Sequence, residues 1–155
     1  MMSQNKMDKT ALILINETSL SVLVSEEELL KVVSHIEAEE KSSFIAIEYA
    51  FVDEDKIVQI NKEYLSKDYV TDIITFRVDD IREDAPFTAI EGSICICLSR
   101  VFEQAVEFES MEKQELMRVC IHGLLHLSGH EDGSEEDKKR MREKENYYLE
   151  KMNLL

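Results

Sequence analysis

Glycine and histidine are scarce in this chain, and most of both lie together. Of four glycines and four histidines in 155 residues, three of each fall in the twelve-residue window from His122 to Gly133. Residues that turn a backbone and residues that bind metals are thus concentrated in one place. The window opens on a helix, because Leu116, Val119, Cys120, Gly123, Leu124 and Leu127 form an apolar stripe at about 100° per residue. His122 and His126 are one turn apart along its edge, with Cβ atoms about 6 Å apart, the spacing at which one helix offers two nitrogens to one ion. Gly129 follows three residues later, where a left-handed glycine ends a helix and sends the chain back across its end. Asp132 then supplies a carboxylate, completing His-x3-His-x2-Gly-x2-Asp.

Three protein ligands leave one position open, as in a catalytic zinc site, and two imidazoles with a carboxylate suit Zn²⁺ better than Mg²⁺ or Ca²⁺. His130 is a competing third ligand: were the helix to run on through Gly129, positions 122, 126 and 130 would share a face. The spacing also resembles the long zinc-peptidase motif, but that motif carries a glutamate base after its first histidine, and here that residue is Gly123. Glu115, two turns earlier on the same face, is a candidate for orienting a metal ligand.

The remainder predicts an α/β layer sandwich, one metallohydrolase domain over residues 1–155 with a loose N-terminus at 1–10. A small mixed sheet of about four strands packs with about five helices. Strands are predicted at Ala11–Asn16 (a buried one), Ser43–Phe51, Thr71–Val78 and Ser93–Leu98. Helices are predicted from Ser25, an N-cap before three glutamates, to Glu40, then at 53–64, 100–108, 112–128 and 135–152. The only proline, Pro86, marks a loop between the last two strands. In the final helix five acids, among them Glu145, offset five bases, which predicts a solvated, internally paired face.

Composition excludes more than it selects. With 44% hydrophobic and 33% charged residues the chain is globular, and a net charge of −15 is the opposite of a general nucleic-acid binder. Cys95, Cys97 and Cys120 form no CxxC pair and no even framework, so they are read as core residues of a cytoplasmic protein. The early apolar run Ala11–Ile15 is too short for a signal peptide or a membrane span.

The run from His122 to Asp132, HGLLHLSGHED, resembles the signature of the YbeY family, bacterial metallo-endoribonucleases of ribosomal RNA maturation. Two upstream stretches extend the resemblance: Ile60–Tyr64 with Lys67, Asp68 and Thr71–Phe76, and Gly92–Cys97 with Gln104, Ala105, Glu115 and Leu116. The resemblance implies an α/β fold, one zinc ion on His122, His126 and position 132, and single-stranded ribosomal RNA as substrate. It further implies a role in 16S rRNA 3′-end maturation and ribosome quality control. Membrane and DNA are not expected partners. Two positions depart from the family: Asp132 stands where a histidine is usual, and Leu65 where an arginine is usual. The cation for phosphate charge must then come from elsewhere, with Lys67, Arg77 and Arg100 as candidates. The acidity of the chain predicts weak, salt-sensitive binding that depends on a ribosomal particle or ribosome-associated protein for delivery. Two other functions fit the same residues, a zinc metallopeptidase-like hydrolase and a non-catalytic ribosome-assembly factor.

Overall fold

Helical crossovers let strands run parallel, and this chain uses one at its start: β1 (Ala11–Asn16), α1 (Glu26–Glu40), then β2 (Ser43–Val52) parallel to β1. After α2 (Glu54–Leu65), β3 (Ile73–Val78) and β4 (Ala89–Cys97) complete a mixed four-stranded sheet of order β1-β2-β4-β3. In it β4 is parallel to β2 and antiparallel to β3. Helices α3 (Leu98–Glu107), α4 (Glu112–Leu127) and α5 (Glu135–Lys151) follow. This is the α/β architecture expected, seen in a computed structural model that describes residues 10–78 and 89–155. Pro86 and the first nine residues of the expected loose N-terminus lie outside the described residues. Thr10, the tenth, is buried, and its hydroxyl donates to the Phe44 carbonyl at 2.7 Å.

Local chemistry explains the element starts. Ser25 caps α1 reciprocally: its Oγ accepts from Glu28 N–H at 3.0 Å, and Glu28 Oε1 accepts from Ser25 N–H at 2.9 Å. Asp53 and Ser134 cap α2 and α5 one way, their side chains accepting from the N–H groups of Lys56 and Asp137. Thr71 and Asp72, expected inside β3, precede it. At its other end β4 passes straight into α3 without a turn, so Leu98 is helical rather than the end of a strand.

One face of the sheet carries the larger core. Ile47, Tyr49 and Phe51 of β2 and Ile94 and Ile96 of β4 pack with α1, α4 and α5. On the other face α2 covers the β3–β4 side, over a smaller cluster that includes Val52, Ile57, Ile74, Cys95 and Cys97. All three cysteines are buried and free, as expected of core residues. The prediction of a buried β1 needs correcting: it is an edge strand, with Ile13 and Ile15 exposed and Leu12 and Leu14 only partly covered. Aliphatic side chains alone do not reveal whether a strand has neighbours on both sides.

Helix α4 is the hub, buried around most of its circumference from Glu115 to Leu127. Gly123 is what lets it lie so close to the sheet. A Cβ at that position would meet Ile73 Cδ1 and two atoms of Ile94, each at 3.0 Å.

Candidate metal centre

His122 and His126 project from the edge of α4 that the sheet leaves open, with ring centroids 4.5 Å apart and planes at 76°. The helix ends as the glycine position predicts. Gly129 has φ +104°, its N–H donates to His126 O at 3.0 Å, and His130 N–H donates to Leu125 O at 3.0 Å. This paired Schellman closure turns the chain back over the helix end. Asp132 Oδ2 arrives 3.4 Å from Nε2 of both histidines. Ligand atoms of the three residues all lie within 4.8 Å of one another. His130 goes the other way, its Nε2 2.6 Å from Glu40 Oε1. The structure therefore gathers His122, His126 and Asp132 and leaves His130 out.

Behind the histidines stands a buried polar chain. Glu145 of α5 places Oε2 2.7 Å from His122 Nδ1 and Oε1 3.3 Å from Arg118 Nη1. Arg118 Nε is in turn 3.8 Å from Glu115 Oε1. Burial alone would push the His122 imidazole down, but the hydrogen bond and charge of Glu145, with Asp132 beside it, outweigh burial and hold it above its usual range. In the neutral ring, a carboxylate on Nδ1 favours the proton there and leaves the Nε2 lone pair toward Asp132. Two imidazole nitrogens that face one carboxylate oxygen, the ring of His122 held from behind, fit a divalent ion of the zinc type.

Glu115, expected to orient a ligand, does not touch a histidine. Its link to His122 runs through Arg118 and Glu145, and burial raises its carboxyl despite Arg118. The residue that does orient His122 is Glu145, which the sequence assigned to a solvated face; it is 5% exposed. The signal was its place between Met141 and the Tyr148–Leu149 pair at helical spacing, all buried on α5.

The three residues open onto a cleft of about 520 Å³ also lined by Leu65, Lys67 and Asp72. Of the three candidate cations only Lys67 lines it. Arg77 Nη1 donates to Leu127 O at 3.1 Å, closing the end of α4. Arg100 pairs with Glu103 and Glu107 on the surface of α3. Asp72 is held by Gln104 Nε2 at 3.2 Å, and its carbonyl accepts from Cys97 N–H at 2.9 Å.

Comparison with known proteins follows the same lines. A family model described as Endoribonuclease YbeY matches residues 13–153. An Endoribonuclease YbeY from Cytophaga hutchinsonii is 40% identical over 114 residues, covering 74% of this chain and 76% of that protein. One from Chlorobium phaeovibrioides is 37% identical over 124 residues, covering 80% of each. One from Thermoanaerobacter pseudethanolicus is 31% identical across an alignment of 160 positions, covering 97% of this chain and 95% of that protein. Among solved structures, the solution structure of TM1509 from Thermotoga maritima has a TM-score of 0.59 and 29% identity, covering 91% of this chain and 88% of that one.

Proposed function

Since the chain belongs to the YbeY endoribonuclease family, we propose that it is a zinc-dependent, single-strand-specific endoribonuclease of 16S rRNA 3′-end maturation and ribosome quality control. The observation that carries the metal reading is the convergence of His122, His126 and Asp132 on one point at the cleft. These three residues would hold the ion, while Glu145 fixes the ring of His122 and Arg118 holds Glu145. Zinc bound there would supply Lewis acidity, activating water and drawing charge from a phosphodiester oxygen. Lys67 is the cleft's candidate for the phosphate, because Leu65 offers no charge.

The peptidase alternative has lost ground. At position 123, where such an enzyme carries its base, there is no side chain, and a Cβ there would already meet Ile73 and Ile94 at 3.0 Å. The cytoplasm is the expected compartment, and among the described residues no helix is long and apolar enough to cross a membrane. With a net charge of −15, delivery of RNA by a ribosomal particle or ribosome-associated protein is part of the proposal.

The test pairs zinc content with cleavage of single-stranded RNA in the wild type, His126→Ala and Asp132→Ala. Both variants are expected to lose zinc and cleavage together. Stoichiometric zinc and full cleavage in Asp132→Ala would refute the ligand assignment, and loss of zinc without loss of cleavage would expose a contaminating nuclease. A zinc-loaded wild type that binds ribosomal particles but leaves RNA intact would favour the non-catalytic factor.

A further inference from the structure

The segment that brings Asp132 to the histidines is short and contains two glycines, Gly129 and Gly133, with open space around both. Nothing intrinsic to such a segment fixes a carboxylate, and Asp132 has 41% of its side chain exposed. Among the described residues, the polar contacts of its carboxylate are with the two imidazoles themselves.

Among the described residues, the side-chain tie of this segment to the body of the protein is His130, and its anchor lies ninety residues away. Glu40, the last residue of α1, accepts from His130 Nε2 through Oε1 at 2.6 Å. Its Oε2 accepts from Tyr148 Oη at 2.7 Å and Lys144 Nζ at 3.0 Å, both on α5. The Glu40 side chain is 10% exposed and Tyr148 is 1% exposed. Burial would raise this carboxyl, but hydrogen bonds from Tyr148, His130 and Lys144 outweigh it and hold the group below its usual range. Glu40 is thus an ionised acceptor with three donors, built into the junction of α1, α5 and the Asp132 segment. On α5, Glu145 lies one turn before Tyr148. The same helix therefore steadies His122 through Glu145 and backs the Asp132 segment through Glu40.

We propose that Glu40 is a positioning residue: by holding His130 it presets the segment that presents Asp132, and so sets the metal affinity of the His122–His126–Asp132 group. The inference rests on that group binding a metal. Its physical basis is preorganisation, since a ligand ordered before the ion arrives loses less conformational freedom on binding.

The test is Zn²⁺ affinity, measured by chelator competition on folded wild type, Glu40→Gln and His130→Ala, with melting temperature followed in parallel. Both variants are expected to bind about tenfold or more weakly, the lower end of the range for outer-shell metal partners. Tyr148→Phe takes one donor from Glu40 but leaves the His130 tie, so it should lower the melting temperature and keep wild-type zinc affinity. Co²⁺-loaded His130→Ala should keep the wild-type positions of the visible absorption bands, because the donors are unchanged. Shifted bands would make His130 itself a ligand and overturn the proposal. Wild-type affinity in both variants would overturn it too. A wild type that binds no zinc would instead sink the metal centre, and this inference with it. His130 has a third of its side chain exposed, so His130→Ala carries the test if Glu40→Gln does not fold.

Discussion

Glutamine at position 145 separates the two tasks the structure gives Glu145. The substitution keeps the shape of a side chain that is 5% exposed and removes its charge. The first consequence is for Arg118, itself 9% exposed, which loses a carboxylate at 3.3 Å and keeps Glu115 at 3.8 Å. Removing one partner of a buried ion pair costs about 3–5 kcal/mol when nothing replaces it. With Glu115 retained, we expect a loss at or below the low end, about 2–3 kcal/mol, read as a fall in melting temperature of about 2–4 °C per kcal/mol in a domain of this length. The second consequence is for His122. A carboxylate 2.7 Å from Nδ1 can only accept, which forces the proton onto Nδ1 and leaves Nε2 free. An amide can donate as well as accept, so the tautomer with Nε2 protonated, which cannot bind a metal, becomes populated. Zinc affinity is expected to fall about 10–100-fold, or roughly 1.4–2.7 kcal/mol. Urea unfolding of the metal-free protein reads the first effect and chelator competition on the folded protein reads the second. Wild-type zinc affinity in Glu145→Gln would refute the tautomer argument, and undiminished stability would show that Glu115 alone suffices for Arg118.

Other perturbations probe the packing, the charge and the cleft. Gly123→Ala trades a gain in helix propensity of about 1 kcal/mol against overpacking of about 1–3 kcal/mol where the new Cβ meets Ile73 and Ile94 at 3.0 Å. A net loss of about 1 kcal/mol is expected in urea unfolding, and a stabilised variant would mean that helix and sheet separate easily. Glu28 accepts from Lys113 Nζ at 2.7 Å and from Ser25 N–H, which hold its carboxyl below the ordinary value of 4.5. Its folded value lies below its unfolded one, so its contribution to stability is complete above about pH 4.5 and is lost as pH falls through the folded value. The stability difference between wild type and Glu28→Gln should therefore be present at neutral pH and shrink on acidification, and a difference that grows in acid would contradict the assignment. Leu65→Arg places a guanidinium in a cleft whose lining cation is Lys67. One charge-assisted hydrogen bond to phosphate is worth about 1.5–3 kcal/mol, so kcat/KM on single-stranded RNA should rise about tenfold or more at unchanged zinc content, and no rise would place the phosphate elsewhere.

What the sequence disclosed and what it hid divide along physical lines. The Schellman turn at Gly129 was legible because a positive φ asks for a residue type that is otherwise rare in this chain. The capped start of α1 was legible because a cap is a contact over three residues. Strand order was not, since pairing β4 between β2 and β3 is decided by burial across the whole sheet. The passage from β4 into α3 was misplaced because no turn residue marks it. Charge is where the sequence hides most. Charge balance alone puts Glu145 with its neighbours on α5 on a solvated face. Yet Glu40, Glu115 and Glu145 have side chains only 10%, 6% and 7% exposed, each paired with a cation or a histidine. Their cation or histidine partners lie 90 or 104, 3, and 23 or 27 residues away, and only the three-residue pair falls within a helical pattern. A buried carboxylate is tolerated only where donors meet it, so these three mark where the fold brings distant donors together. All three stand behind the metal group or the segment that completes it. These three acids are therefore part of the scaffold of the site; set against Arg118 and Lys144 they account for about one unit of the net charge of −15, so the field an approaching RNA strand meets stays acidic and delivery by a partner remains part of the proposal.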